Sequence, residues 1–281
     1  MANFRDILIT TDFDRTLTAP DTTIPKRNLD AIRYFIKNGG AFTVNTGRTL
    51  SSFRPYMHTV PVNAPLLLYN GSAAYEIASQ SFVFAHEINL NWWEVRQRIL
   101  DRYPMVWIEY QGADAHYMIR KNPMWESFCQ ANHYTWSYAS VGDDLGPFLK
   151  FCIYGRLSEP TISHLFHGLP DEIRFMDEME QWLRLEFAND CVVTRSADLY
   201  IDVQPMGVDK GRSALALKEK LGRKVLICVG DAENDLSMLD AADFAFCPKD
   251  AGIKDRYQNL CCCSDGALAD LIYNDIPSIR I

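Results

Sequence analysis

Short runs of apolar residues near the start of the chain each stop abruptly at polar residues. Residues 7–10, 41–44 and 65–69 are such runs, and none of them alternates apolar with polar positions. A short continuous apolar run is typical of a strand buried on both faces, as in a parallel sheet. The pattern therefore predicts three buried strands at these positions.

Helical spacing separates the first two strands. Leu29, Ile32 and Ile36 lie three or four residues apart, and the pair Gly39-Gly40 follows them. Apolar residues at this spacing line one face of a helix, and glycine is common directly after a helix ends. The segment before residue 39 is therefore predicted to be a helix.

The same alternation returns near the C-terminus. Residues 210–221 have helical periodicity, 225–229 form another apolar run, and a short helix over 235–241 leads to a strand at 244–246. Strands that alternate with helices imply a parallel sheet with right-handed crossovers. The two ends of the chain together predict a Rossmann-like, doubly wound parallel sheet, an α/β core.

The middle of the chain loses this alternation. All six tryptophans and five of the six histidines lie between about residues 83 and 193. Shorter strand-like pieces appear there, at 105–110, 115–119 and 148–154. We interpret the segment as an inserted α+β cap domain, residues 83–193, within a core formed by residues 1–82 and 194–281.

Composition narrows the possible partners. The chain has 281 residues, 48% of them hydrophobic and 23% charged, with a net charge of −8 and no run of Lys or Arg, so binding of nucleic acid through a basic face is disfavoured. The first residues do not resemble a signal peptide, and no apolar stretch approaches membrane-spanning length. Several of the eight cysteines lie inside apolar runs, which is typical of reduced thiols. We expect a cytoplasmic protein with neither nucleic acid nor membrane as a partner.

Two polar clusters follow the N-terminal strands. Asp12 and Asp14, two residues apart after the first strand, could both point at one ligand or could be solvated carboxylates of a loop. Thr46 and Gly47, which precede Arg48 after the second strand, offer a hydroxyl and backbone N–H groups that suit a phosphate oxygen, although Thr-Gly turns are common.

Two further clusters lie in the C-terminal part. Lys210 begins a predicted helix, where its charge opposes the helix dipole, so it has either an anionic partner or a surface position. Asp231, Glu233 and Asp235 come straight after an apolar strand. Hard oxygen ligands at such a point suit Mg²⁺, and acidic residues also favour a helix N-terminus without any metal.

Taken together, the four clusters resemble the motifs of the haloacid dehalogenase superfamily. The matching segments are DFDRT at 12–16, the threonine of TGR at 46, Lys210, and GDAEND at 230–235. The insertion after the third predicted strand, which ends at Asn70-Gly71, resembles the Cof-type subgroup with its large α+β cap.

The resemblance implies a mechanism and a Mg²⁺ cofactor. Asp12 would be the nucleophile that forms an aspartyl-phosphate, and Asp14 the acid and base. The metal would be held by the Asp12 carboxylate, the Asp14 main-chain carbonyl and Asp231. Asp235 and Asn234 would orient the site.

The resemblance also assigns phosphate contacts. Thr46 and Gly47 would bind the phosphate, Lys210 would neutralise charge, and Asn234 is a further candidate contact. Asn70 and Gly71 would contact substrate or simply turn the chain. Arg48 would contact substrate or pair with an acid, whereas Thr16 would stabilise the loop.

The expected activity is Mg²⁺-dependent hydrolysis of a small phosphate monoester, such as a sugar phosphate. Two alternatives stay open: a phosphotransferase or mutase with the same intermediate, and a non-catalytic phosphate-binding regulatory protein. A small phosphorylated metabolite is the expected partner, and the sequence predicts no oligomeric state. The Cys261–Cys263 run and the pair His164 and His167 are interpreted as structural rather than metal-binding.

Overall fold

The fold is described from a computed structural model, which covers residues 3–155, 164–165 and 167–279. The chain forms two compact units. The first contains Met1–Arg48, Pro55–Phe84 and Asp209–Ile281, and the second contains Thr49–Arg54 and Ala85–Val208.

Strands and helices are numbered in chain order. The strands are β1 (Ile7–Thr11), β2 (Ala41–Val44), β3 (Leu66–Leu68), β4 (Ala73–Glu76), β5 (Ser81–Ala85), β6 (Trp107–Gly112), β7 (His116–Met118), β8 (Trp136–Tyr138), β9 (Phe148–Tyr154), β10 (Cys191–Ala197), β11 (Tyr200–Pro205), β12 (Val225–Val229), β13 (Phe244–Pro248) and β14 (Gln258–Leu260). The helices are α1 (Lys26–Lys37), α2 (Leu50–Phe53), α3 (Trp92–Arg102), α4 (Pro123–Ala131), α5 (Pro170–Glu186), α6 (Lys210–Lys220), α7 (Leu236–Asp240) and α8 (Ala267–Asp270).

A five-stranded parallel sheet forms the centre of the first unit, in the order β14-β13-β12-β1-β2. Its middle strands are the apolar runs of the sequence, and every residue of β1 and β2 is buried. Strand β1 pairs on one side with β12, Thr11 opposite Val229, and on the other with β2, Thr11 opposite Val44. The predicted α/β core with a parallel sheet is confirmed.

Helix α1 shows why the predicted helical segments form. Its buried residues Asn28, Ala31, Ile32 and Phe35 repeat at three and four positions and so lie on one face. After the helix the chain continues through Gly39, whose φ of +97° lies in the left-handed region that favours glycine. The periodicity and the terminating glycine therefore locate this helix from sequence.

The third predicted strand is shorter than expected and pairs differently. Strand β3 belongs to a three-stranded sheet of order β3-β4-β5 and runs antiparallel to β4. A parallel bridge between Asn45 and Leu67 links it to the end of β2. The apolar run at 65–69 identified the strand, whereas its antiparallel partner depends on the turn at Tyr69–Gly71.

The second unit contains a six-stranded sheet of order β10-β11-β9-β6-β7-β8, antiparallel except for the parallel pair β7 and β8. Aromatic contacts join this sheet to the helical segments, because Tyr110 of β6 lies against Trp92 of α3, and Phe151 of β9 lies against Phe187, the residue directly after α5. Among the described residues, no helix has both the length and the apolar content needed to cross a bilayer.

The boundary between the units differs from the one expected from sequence. Strands β10 and β11 pair with β9 of the second sheet, so residues 194–208 belong to the second unit and not to the core. Residues 49–54 also join the second unit. The sequence pattern cannot show this because antiparallel pairing of β11 with β9 joins segments about fifty residues apart.

We predict that the contact between α6 and α7 tolerates no side chain at Gly211. A β-carbon there would lie 2.1 Å from the backbone oxygen of Ser237. Gly211→Ala is expected to lower the free energy of unfolding by about 1–3 kcal/mol, because two backbones must separate. Urea denaturation measures the change.

Gly252→Ala is the matched control, since its β-carbon would meet its nearest neighbour, the Asp231 oxygen, at an ordinary 3.7 Å. Equal stabilities for the two variants would contradict the close approach of α6 to α7.

Candidate active site

Asp12 follows β1 directly, at the carboxyl end of the strand, and is bonded to the neighbouring strand β12. The Asp12 N–H donates to the Val229 carbonyl at 2.8 Å, and the Thr11 hydroxyl donates to the Asp12 carbonyl at 2.9 Å. The side chain is 10% exposed. The parallel register therefore places this carboxylate beside the residues that follow β12.

Lys210 lies between two carboxylates. Its Nζ is 2.6 Å from Asp12 Oδ1 and 2.6 Å from Asp235 Oδ1, and the side chain is fully buried. Burial alone would lower the pKa of Lys210, but the two carboxylates outweigh it and the pKa is raised. The ammonium is therefore charged. An anionic partner was expected for a lysine at the start of a helix, and Asp12 and Asp235 are the partners observed.

Asp231 follows β12, and its carboxylate lies close to those of Asp12 and Asp235. Its Oδ1 accepts a hydrogen bond from the Thr16 hydroxyl at 2.9 Å, which is the loop contact expected of Thr16. Burial, and then the negative charge of Asp235, raises the pKa of Asp231 to about 7. This carboxylate therefore lies where a second negative charge is unfavourable.

Asp235 has both oxygens engaged within the protein. Oδ1 accepts from Lys210, and Oδ2 accepts the backbone N–H groups of Asp231 at 2.9 Å and Ala232 at 3.1 Å. These contacts fix the loop after β12 and the position of the Lys210 ammonium, and the orienting role that the resemblance implies for Asp235 stays a prediction.

Three carboxylates converge at this edge of the sheet. Oxygen atoms of Asp12, Asp231 and Asp235 all lie within 4.8 Å of one another. Burial, and the charges of Asp235 and Asp231, raise the pKa of Asp12 well above its usual range although Lys210 lowers it. Three hard oxygen donors with one ammonium leave negative charge uncompensated, and this donor set fits Mg²⁺.

Thr46 and Gly47 form a turn at the end of β2. The Thr46 hydroxyl accepts the Arg48 N–H at 3.2 Å, and its carbonyl accepts the Asn70 N–H at 2.9 Å. A β-carbon on Gly47 would lie 2.8 Å from Asn70 Oδ1. The two predicted phosphate-binding residues and Asn70 are thus brought together.

Gly71 has a packing role. Its φ is +94°, and a β-carbon would lie 2.6 Å from the carbonyl oxygen of Asp209, the residue before α6. Gly71 turns the chain, and its contact with substrate stays a prediction. Glycine there lets the chain approach the start of the helix that carries Lys210.

Sequence reasoning missed Asn45. This buried residue follows β2, and its Nδ2 donates to the Lys210 carbonyl at 2.8 Å, which ties the end of β2 to the start of α6. Its position directly after a buried strand was the signal that could have identified it.

Arg48 grips Asp14. Its Nε and Nη2 donate to the two Asp14 oxygens at 2.8 and 2.7 Å, a bidentate pair. The guanidinium also lies 4.9 Å from the Phe13 ring centroid and 5.1 Å from that of Tyr56. Asp14 is half exposed and is held by this pair, apart from the three-carboxylate cluster. Of the two roles left open for Arg48, pairing with an acid is the one observed.

The remaining candidate residues are an asparagine beside the acidic cluster and the cysteine and histidine side chains that the sequence analysis interpreted as structural. Asn234 is half-buried in the turn Glu233–Asp235, one residue before the carboxylate that Lys210 contacts. Cys263 is a free thiol next to Asp250, and burial raises its pKa to about 12. His164 pairs with Glu172 at 2.9 Å. These thiol and imidazole contacts agree with structural roles.

Known proteins are similar to this chain over most of its length. The family model described as haloacid dehalogenase-like hydrolase matches residues 9–254. A curated relative from Bacillus subtilis, 5-amino-6-(5-phospho-D-ribitylamino)uracil phosphatase YcsE, is 23% identical over 240 residues, which are 84% of this chain and 80% of that protein.

Solved structures share the fold. A haloacid dehalogenase-like hydrolase from Bacteroides thetaiotaomicron superposes with a TM-score of 0.78 at 20% identity, covering 94% of this chain and 97% of that one. A HAD/COF-like hydrolase from Plasmodium vivax gives 0.77 at 18% identity, covering 99% and 97%. The resemblance to the haloacid dehalogenase superfamily, drawn from four short motifs, is confirmed, and so is the resemblance to its Cof-type subgroup, drawn from the insertion after the third predicted strand. The chain belongs to the haloacid dehalogenase-like hydrolase family.

Proposed function

We propose that this hydrolase is a Mg²⁺-dependent phosphatase that cleaves a small phosphate monoester through an aspartyl-phosphate on Asp12. The observation that carries the proposal is the buried Asp12 carboxylate, which Lys210 holds on one oxygen beside Asp231 and Asp235. A nucleophile needs a fixed position and an exposed lone pair.

The hydrogen bonds of Asp12 leave one oxygen for the reaction. Lys210 occupies Oδ1, and no group in the described part of the chain donates to Oδ2. That oxygen would form the bond to phosphorus, while the ester oxygen of the leaving group departs with its electron pair.

Charge requires a cation at this site. Two like charges about 4 Å apart repel by roughly 4 kcal/mol at an effective dielectric of 20, so a phosphate dianion approaching these carboxylates meets strong repulsion. The carboxylates of Asp12 and Asp231 and the main-chain carbonyl of Asp14 would hold Mg²⁺. When bound, Mg²⁺ would supply positive charge to nucleophile and phosphate alike.

Asp14 would move the protons. It would give a proton to the departing oxygen and then take one from the water that hydrolyses the aspartyl-phosphate, help that is worth about 10²–10⁴-fold. The two hydrogen bonds from Arg48 hold this carboxylate in one orientation. The presence of this acid favours hydrolysis over transfer to another acceptor.

The turn after β2 would bind the phosphate oxygens. The Thr46 hydroxyl accepts from the backbone and still has its own proton to donate, and Gly47 brings an N–H without a side chain. Asn234 and Asn70 are further candidates for contacts with substrate.

The substrate class is a small phosphorylated metabolite, with sugar phosphates foremost. The named activity of the Bacillus subtilis relative, on 5-amino-6-(5-phospho-D-ribitylamino)uracil, supports this class at 23% identity.

All eight cysteines are free thiols, which supports a reducing, cytoplasmic location.

Removal of the metal should stop catalysis and lower stability. We expect phosphate release from p-nitrophenyl phosphate with Mg²⁺, none with EDTA, and recovery when Mg²⁺ is restored. Mg²⁺ at 100 times its dissociation constant should also stabilise the fold by about 2.7 kcal/mol, measured as a rise in Tm.

Asp231→Asn separates the metal site from other effects of the ion. This variant should lose the rise in Tm, whereas Asp255→Asn, which changes an exposed acid of the same unit, should keep it. Full activity in EDTA would count against the metal.

Replacement of the nucleophile should abolish turnover. Asp12→Asn keeps the size of the side chain but removes the covalent route, so phosphate release is expected to fall more than about 10³-fold. Circular dichroism should show an intact fold, and Asp255→Asn again serves as the control. If Asp12→Asn retained near wild-type turnover, the nucleophile would be another group.

Replacement of the acid and base should trap the intermediate. p-Nitrophenolate leaves without protonation, so Asp14→Asn should form the aspartyl-phosphate normally and hydrolyse it about 10²–10⁴-fold more slowly. Rapid-quench measurements should then show a burst of p-nitrophenolate equal to the enzyme concentration. Slow turnover without a burst would contradict the role given to Asp14.

A further inference from the structure

Arg15 lies in a backbone conformation that suits glycine. Asp14 has φ −74° and ψ 129°, and Arg15 has φ 58° and ψ 9°. These angles are close to those of the two central residues of a type II turn, whose second central position has a positive φ and is normally filled by glycine or asparagine. A residue with a β-carbon is strained in this left-handed region. The turn therefore forms at a cost in free energy that glycine would avoid.

The arginine side chain makes no contact within the protein that would offset this strain. The Arg15 N–H donates to the Thr18 hydroxyl at 3.2 Å, and a glycine could make the same bond. The guanidinium is exposed, and no group in the described part of the chain forms a hydrogen bond or an ion pair with it. Strain that is kept without an internal gain is characteristic of functional positions.

Two carboxylates lie near Arg15, but other residues already bind them. Arg48 donates to both oxygens of Asp14, the residue before Arg15. The hydroxyl of Thr16, the residue after it, donates to Asp231. Burial raises the pKa of Asp231, whereas the positive charge of Arg15 is among the effects that lower it. The guanidinium therefore lies at the edge of the acidic site, and its N–H donors are available to a ligand.

The position of Arg15 in the turn points to the leaving part of the substrate. In the proposed reaction Asp14 protonates the departing oxygen, so the leaving group lies beside Asp14. Arg15 is the next residue and is exposed, whereas the phosphoryl group must reach the buried carboxylate of Asp12. All of these residues belong to the first unit. A guanidinium binds carboxylate and phosphate oxygens through paired, charge-assisted hydrogen bonds.

We propose that Arg15 binds an oxyanion on the leaving part of the substrate, either a carboxylate or a second phosphate. This inference rests on the proposed phosphatase function and narrows its substrate class to phosphate esters that carry a further anionic group. Glycine would fit the backbone of the turn better, but it has no charge with which to bind that group. Arg15 is thereby a specificity-determining residue.

Pairs of esters that differ by one anionic group test the proposal. One pair is 3-phosphoglycerate and glycerol 3-phosphate, and the other is glucose 1,6-bisphosphate and glucose 6-phosphate. The preference is defined as kcat/KM for the ester with the extra anion divided by kcat/KM for its partner. The wild-type enzyme should prefer the more anionic ester in at least one pair, which identifies the oxyanion as carboxylate or phosphate. That preference should fall about 10-fold in Arg15→Gly.

Arg15→Lys separates the charge from the shape of the side chain. Lysine keeps the positive charge but lacks the planar pair of donors, so this variant should retain part of the preference.

Gln80→Gly is the matched control. Gln80 is an exposed residue of the same unit, in the turn between β4 and β5, and its φ of +52° is also left-handed. Both glycine variants should keep or raise the Tm, since glycine adopts this conformation without strain. Only Arg15→Gly should change the preference.

A structural role for Arg15 has a different result. If Arg15→Gly lowered kcat/KM equally for both members of each pair, or lowered the Tm, the side chain would maintain the loop, and the inference would be overturned. A wild-type enzyme that hydrolyses p-nitrophenyl phosphate but prefers neither of the more anionic esters would also overturn it. A wild-type enzyme that hydrolyses no phosphate ester at all would instead refute the proposed phosphatase function.

Discussion

The first unit depends on one buried ammonium group. Lys210 has no exposed side-chain surface and contacts Asp12 and Asp235 at 2.6 Å each. An isolated buried charge is very costly, and removal of one partner of such a pair typically costs about 3–5 kcal/mol. The three segments that carry these residues, the end of β1, the start of α6 and the loop after β12, are thereby fixed to one another. The nucleophile proposed here is positioned by the same contacts that stabilise the fold.

The single positive charge of Lys210 does not neutralise the negative charge of the site. Asp12, Asp231 and Asp235 bring three carboxylates within 4.8 Å, and burial with mutual repulsion raises the pKa of both Asp12 and Asp231. A protein that needed only stability would not retain this repulsion. It is the expected arrangement where a divalent cation and a phosphate are to be bound, because the cation would offset the carboxylates and attract the phosphate.

The second unit handles its buried polar groups in the opposite way. There Lys150 is paired with Asp202 and Glu109 is hydrogen-bonded to His116, while within the described residues the neutral carboxamides Gln111 and Gln204 keep one oxygen each without a hydrogen-bond donor. The first unit therefore presents excess charge, and the second presents neutral hydrogen-bond acceptors.

Apolar periodicity and short motifs are local properties, so they were enough to predict strands β1, β2 and β12, helix α1 and the family. They also located Asp12, Thr46, Lys210 and Asp231 at the ends of strands or the start of a helix. Which side chains contact one another depends instead on how distant segments fold together. Pairing of Lys210 with Asp12 joins residues 198 positions apart, and that of Arg48 with Asp14 joins residues 34 apart. Residues 194–208 likewise belong to the second unit because β11 pairs with β9. Such contacts are selected by the energy of burying complementary groups together, and no local pattern encodes them.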